Sequence, residues 1–308
     1  MFNTLSRAET LFRNSGPFFH LHTEPIENDL LVQKDSDYIV INNLLAMSSM
    51  LTGSKILAFA IMSNHIHLIL EGRLEGCMVF FEDFKIRFMN YRSRHGGSSS
   101  IKNMKPGFTA INNLKQLRDE IAYVIRNPFV IREDVNPLAY RWCSGFLYFN
   151  PMLDTGGTPL ADLPVKQRRE ILFSRKDVQV NGSLLVNGTL INPCSFVDYH
   201  RAMDFFDNAR QFVMWVFKNL EGQVEVSRRL GEIPRLNDEE VISLSFKLCR
   251  TLFGINSMKD LSLTQKKQLA LKLKNEYSAS NGQIARCVNM SLSDVNTMFP
   301  LAAKPQKQ

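Results

Sequence analysis

The stretch Ile56–Gly72, ILAFAIMSNHIHLILEG, decides how the chain is read. It is apolar nearly throughout, yet it holds His65 and His67 one residue apart. Its composition predicts one strand over 55–71, with residues 56–61 apolar on both faces as a central strand requires. Side chains alternate faces along a strand, so the two imidazoles point the same way. Ring nitrogens placed like that can converge on one ion. The pattern alone is weak: FHLH, with His20 and His22, repeats it, and two histidines on a half-exposed strand need no ligand at all.

Working outward, residues 17–23 read as a short strand and 36–52 as a helix with Ile39, Ile41, Leu44, Leu45, Met47 and Leu51 apolar. Over 75–94, Cys77, Phe80, Phe81, Phe84, Phe88 and Tyr91 recur at helical spacing. HGGSSS at 95–100 is a break, and a further helix over 112–127 is expected to stop at Pro128. The order strand, helix, strand, helix, loop, helix implies an α+β sandwich. Prolines and glycines cluster at 150–164, which places a domain boundary there: 1–150, then 151–308. The second part reads as mainly helical, with helical stretches at 165–176, 199–220, 237–253 and 262–277. Two Asn-Gly pairs at 181 and 187 mark a hairpin or paired turns.

With 308 residues, 44% hydrophobic and 22% charged, the chain has the composition of a globular protein. No apolar run reaches the roughly 18 to 20 residues of a membrane helix, so no membrane partner is expected. The first residues are too polar for a secretory signal. Five scattered cysteines without a CxxC pair argue against a thiolate zinc site or a disulfide framework, and fit a reducing cytoplasm. The net charge of +7 favours a polyanionic partner.

Two histidines do not complete a catalytic metal site, which needs a third ligand and open positions. LKQLRDEIAYVIRNPFV, 114–130, supplies a candidate. Leu114, Leu117, Ile121, Val124 and Ile125 form its apolar stripe, while Asp119, Glu120, Tyr123, Arg126 and Asn127 fall elsewhere. Tyr123 and Asn127 are four apart and so neighbours on the helix. A metal held by His65, His67 and Asn127 would sit beside the Tyr123 phenol. A phenol with a pKa of about 10 is a poor nucleophile and an anionic phosphodiester a poor electrophile; a cation on the phosphate eases both problems. The competing readings are a boundary tyrosine with its ring packed, and Asn127 as a helix cap before proline.

Three segments in order carry a family resemblance. AFAIMSNHIHLIL resembles the strand bearing an HUH motif, YVIRNPFV resembles a YIxxNPV segment with a nucleophilic tyrosine, and YRWCSGFLYF (140–149) resembles the tryptophan-serine segment that follows it. Together they are similar to the single-tyrosine HUH transposases, specifically the REP-associated tyrosine transposase branch, over about residues 15–150. The resemblance implies a ferredoxin-like antiparallel sheet with helices. It also implies Tyr123 as the nucleophile of a 5′-phosphotyrosine link, His65, His67 and Asn127 as ligands of Mg2+ or Mn2+, and single-stranded DNA with a hairpin as substrate. It leaves monomer or homodimer open and implies a cytoplasmic, nucleoid-associated protein. Ser63 stands where the family usually has proline, and 95–111 lacks the usual aromatic-basic segment.

Two further regions point to DNA. SASNGQIARCVNMSLSDVNTMF, 278–299, reads as a helix-turn-helix: Ile284, Ala285 and Val288 face inward, Asn289 makes the turn, and Val295 and Met298 anchor the second helix. That leaves Ser291, Ser293, Asn296 and Thr297 for a major groove, unless the segment is an ordinary helical hairpin. Near 85–94, Lys85, Arg87, Arg92 and Arg94 stand beside Phe88 and Tyr91, and together with Arg126 they are candidates for phosphate contact. The leading expectation is a metal-dependent single-strand DNA endonuclease and strand transferase. The alternatives are a non-catalytic hairpin-binding or regulatory protein, and an unrelated zinc hydrolase with a water nucleophile.

Overall fold

The computed structural model describes residues 6–23, 30–32, 34–95, 101–102, 104–131, 136–175, 177–180, 183–233, 236 and 238–300. The chain divides into two compact units, 1–219 and 220–308.

The first unit begins with α1 (Arg7–Arg13), then β1 (Phe18–Thr23), α2 (Asp35–Thr52), β2 (Lys55–Ile61), β3 (Ile66–Glu71), α3 (Leu74–Arg94), β4 (Pro106–Ile111) and α4 (Leu114–Ile131). The stretch expected to be one long strand is a hairpin. Met62–His65 turn the chain, with Met62 N–H donating to His65 O at 2.9 Å. Polar Ser63 and Asn64 interrupt the apolar run, and a 17-residue strand would exceed the usual length severalfold. Strand β4 lies within 95–111, which was expected to be loop. The four strands pair antiparallel in the order β2-β3-β1-β4. With the order β-α-β-β-α-β, this is the split βαβ arrangement, so the α+β class and the ferredoxin-like sheet topology are both present. Strand β3 is buried on both faces, with every one of its residues buried, whereas the edge strand β4 is mostly half-buried.

Helix α4 starts at a polar cap, where Asn113 Oδ1 accepts from Gln116 N–H at 2.8 Å. It does not stop at Pro128 but runs through it to Ile131. Proline removes one helical hydrogen bond; burial of Ile121, Ala122, Val124 and Ile125 holds the helix together across that loss.

Residues 151–219 belong to this same unit, so the compact division falls at 219 rather than 150. A small sheet of β5 (Thr158–Pro159), β6 (Leu185–Asn187) and β7 (Leu190–Ile191) is fastened to α2 by two buried asparagines. Asn43 donates to Thr189 O at 2.8 Å and accepts from Ile191 N–H at 2.9 Å, while Asn42 donates to Ile191 O at 2.8 Å. The 187 Asn-Gly pair does turn β6 into β7, with Gly188 at φ 65°; the pair at 181 lies outside the described residues. After α5 (Val165–Ile171) and α6 (Tyr199–Met203), α7 (Ala209–Lys218) is tied to α4 through Asp119, which accepts from Trp215 Nε1 at 3.0 Å and Asn219 Nδ2 at 2.6 Å.

The second unit is all helical among its described residues: α8 (Leu220–Leu230), α9 (Asp238–Phe253), α10 (Leu263–Tyr277), α11 (Asn281–Val288) and α12 (Leu292–Met298). Val241, Leu269, Leu273, Ile284, Val288 and Val295 form its core. Ser280 and Gln283 close a capping box on α11, and Asn289 turns the chain at φ 51°, ψ 55°, the left-handed conformation that asparagine tolerates. Among the described residues no helix is long and apolar enough to cross a membrane.

Candidate active site

Register builds the site. β1 pairs with β3 so that His22 stands opposite His67. Directly opposed residues share a face, and so do residues two apart. His20, His22, His65 and His67 therefore gather on the face that α4 crosses. The two HxH dipeptides, separated by more than forty residues, make one cluster. His22 is held close over Gly107 of β4, where a Cβ would lie 2.2 Å from the imidazole Cε1; only glycine fits beneath that ring.

Helix α4 brings Glu120, Tyr123 and Asn127 onto the imidazoles. The Tyr123 ring centroid lies 5.8 Å from that of His67 and 6.1 Å from that of His20. His65 and His67 are 4.8 Å apart, nearly perpendicular. Asn127 Nδ2 donates to His67 Nε2 at 3.2 Å, and His65 Nδ1 lies 2.7 Å from Asn64 Oδ1. His20 bridges Glu120 Oε2 at 2.6 Å and His67 Nδ1 at 3.0 Å. The structure thus brings together Tyr123, His65, His67 and Asn127.

The cluster is deeply placed: His67 is 0% exposed, Tyr123 8% and Asn127 7%. Burial, then the like charges of His65, His20 and His22, hold the His67 pKa well below the ordinary histidine range. Burial and His20 likewise lower His22 to about 4. Both rings are neutral at pH 7, the state in which an imidazole can bind a metal.

The donor set can be tested against an ion. His65 Nδ1 faces a carbonyl acceptor on Asn64, so its proton belongs there and Nε2 is the lone-pair nitrogen. His67 Nε2, receiving the Asn127 amide, is a lone-pair nitrogen too. Two imidazoles with Nε2 as the lone-pair nitrogen beside an amide are donor types that would suit a divalent cation, provided the Asn127 amide turned its oxygen toward the ion. Among the described residues, no group of three or more His, Cys, Asp or Glu side chains is arranged to hold a metal, so the third ligand would have to be the amide.

Sequence reasoning missed His20, His22 and Glu120. The signal was present: FHLH repeats the HxH spacing on a strand that pairs with β3.

The surface candidates separate by exposure. Arg92 is 3% exposed and paired with Asp37 at 3.3 Å; Arg126 is 2% exposed, with its guanidinium 5.7 Å from the Phe129 ring. Both are withdrawn from the set that could meet DNA at the surface, because tertiary packing encloses the sides of α3 and α4 that carry them. Phe88 is core. Arg94 is exposed and Lys85 half-buried; Arg87 pairs with Asp83 at 2.7 Å. Arg87, Asn90 and Arg94 line a cleft of about 410 Å3 that also includes Arg175. On α12, Ser293 and Thr297 are exposed, Ser291 is exposed but caps the helix by accepting from Asp294 N–H at 3.0 Å, and Asn296 accepts from Asn281 at 2.9 Å.

No protein-family model and no curated protein matches the chain. A solved structure of a REP-associated tyrosine transposase bound to a REP hairpin aligns with 43% of this chain and 79% of its own, at 15% identity and TM-score 0.32.

Proposed function

We propose that the chain is a metal-dependent single-stranded DNA nicking and joining protein of the single-tyrosine HUH type, acting beside DNA hairpins. The observation that carries this is the convergence of the Tyr123 ring, its centroid 5.8 Å from that of His67, with the imidazole pair and Asn127 on one face of the sheet. His65, His67 and Asn127 would hold magnesium or manganese. When bound, the ion would polarise the phosphate and offset charge in the transition state.

The remaining chemistry belongs to the chain. Tyr123 Oη attacks phosphorus, the phenolic proton is lost, and the bond to the 3′ oxygen breaks with that oxygen taking up a proton. The product is a 5′-phosphotyrosine link whose bond energy is retained, so a DNA 3′-hydroxyl can later reverse the step and join strands. Burial keeps water away from that link. Lys85, Arg87, Arg94 and Arg175 supply cations for the backbone, and the exposed Ser293 and Thr297 of α12 a second contact.

Incubation with end-labelled hairpin DNA and manganese, followed by denaturing electrophoresis, should give a covalent adduct that the Tyr123→Phe variant does not form. Equal adduct from both would remove Tyr123 as nucleophile. The same burial that shields the site favours a second reading, a hairpin-binding or regulatory protein without cleavage. Hairpin affinity unchanged by chelator, with no adduct under any divalent metal, would select it.

A further inference from the structure

Three hydrogen bonds run in series through the histidine cluster, and their two ends fix the hydrogens between them. At one end is Glu120 Oε2, which as a carboxylate only accepts; it lies 2.6 Å from His20 Nδ1, so that nitrogen carries a proton. At the other end is Asn127 Nδ2, which only donates; it lies 3.2 Å from His67 Nε2, so that nitrogen presents its lone pair. A neutral His67 then has its proton on Nδ1, and it gives this hydrogen bond to His20 Nε2 at 3.0 Å. All four side chains are buried. The reverse polarity would put a proton on His67 Nε2 directly against the Asn127 amide hydrogens.

We infer that Glu120 and His20 are positioning residues: they hold His67 in the Nδ1–H form, with Nε2 directed toward Asn127 as the ligand nitrogen. Hydrogen bonding at the second nitrogen of a metal-binding imidazole both selects the tautomer and aims the ring. Here a carboxylate reaches the ligand through an intervening imidazole. His20 comes from β1 and Glu120 from α4, so the relay couples the first strand to the helix that carries Tyr123. The inference rests on the metal-dependent reading for its use of His67 as a ligand, but the hydrogen positions are a property of the metal-free protein.

The test is nitrogen-15 NMR of the metal-free full chain labelled at histidine, together with direct titration of Mn2+. His67 should show a protonated Nδ1 and a bare Nε2. His20→Gln, which keeps an acceptor where Nε2 stood, should retain that tautomer. His20→Leu should let the Nε2–H form appear and weaken Mn2+ binding by about 10- to 100-fold, with affinity recovered in His20→Gln. A wild-type His67 protonated on Nε2 overturns the inference. So does a folded His20→Leu with tautomer and Mn2+ affinity unchanged. Should His20→Leu fail to fold, a switch of tautomer in His20→Gln overturns it. The DNA adduct is scored separately: the expected tautomer without any adduct sinks the nicking reading alone, and an adduct with the opposite tautomer sinks the relay alone.

Discussion

Asp37, Tyr91 and Arg92 form one buried polar cluster of the first unit, and the four histidines with Glu120 and Tyr123 form another. In the first, opposite charges meet. Tyr91 donates to Asp37 at 2.9 Å and Arg92 reaches its other oxygen at 3.3 Å, fastening α2 to α3. Burial and the Asp37 hydrogen bond push the Tyr91 phenol up to about 12, far from any reactive range. In the second cluster, groups of the same kind are crowded together: His65, His20 and His22 lower the affinity of His67 for a proton, and His20 lowers that of His22. A cluster built for stability pairs unlike charges; one that gathers four bases around a single carboxylate is a candidate functional site.

Tyr123→Phe should break the contrast most sharply. It should reduce covalent DNA adduct at least about a hundredfold while changing folding stability by no more than about 1 kcal/mol, measured by denaturing gel and urea titration on the same preparations. Asp37→Ala should do the opposite. Removing one member of a buried ion pair costs about 3–5 kcal/mol, whereas Mn2+ affinity of the folded fraction should be unaltered. A metal-affinity loss in Asp37→Ala would show that the two clusters are not separate.

The same contrast explains what could be read from the sequence. The period of the helices, the strand at 17–23 and the pair of imidazoles were visible because each is a local pattern. The hairpin inside 55–71 was hidden: the run is apolar on both sides of Ser63, and only the pairing of β2 with β3 separates its halves. Strand β4, PGFTAI, has too little alternation to stand out. The division at 219 depends on Asn42, Asn43 and Asp119, polar residues whose partners lie 96 to 149 positions away. Neither Arg92 nor Arg126 could be told from a surface cation, because charge patterning reports the residue and not its surroundings. His20 and Glu120 needed the register of β1 on β3 and the crossing of α4.

Acid should separate the clusters next. The folded protein holds His22 to about 4 against an ordinary 6.5, so the unfolded chain takes up that proton at the higher pH. The stability is present in full above about 6.5 and is lost as pH falls toward 4. The urea midpoint of the metal-free protein should therefore fall between about pH 7 and 5 more steeply than that of His22→Gln. Parallel curves for the two proteins would remove His22 as a source of acid sensitivity.

The smallest effect is expected where α3 leaves the core, and there two arginines, two residues apart, divide the two regimes. Arg92 is buried against Asp37, while Arg94 is exposed on the cleft with Arg87 and Arg175. An exposed cation contributes within about 0.5 kcal/mol to folding, but each phosphate it neutralises releases counterions. Arg94→Ala should weaken hairpin binding about equally across DNA sequences and reduce the slope of log affinity against log salt by about 1. Its urea midpoint should match wild type, unlike that of Arg92→Ala. If Arg94→Ala leaves the salt slope unchanged, Arg94 neutralises no phosphate of the bound DNA, and the cleft loses that exposed cation as a backbone contact.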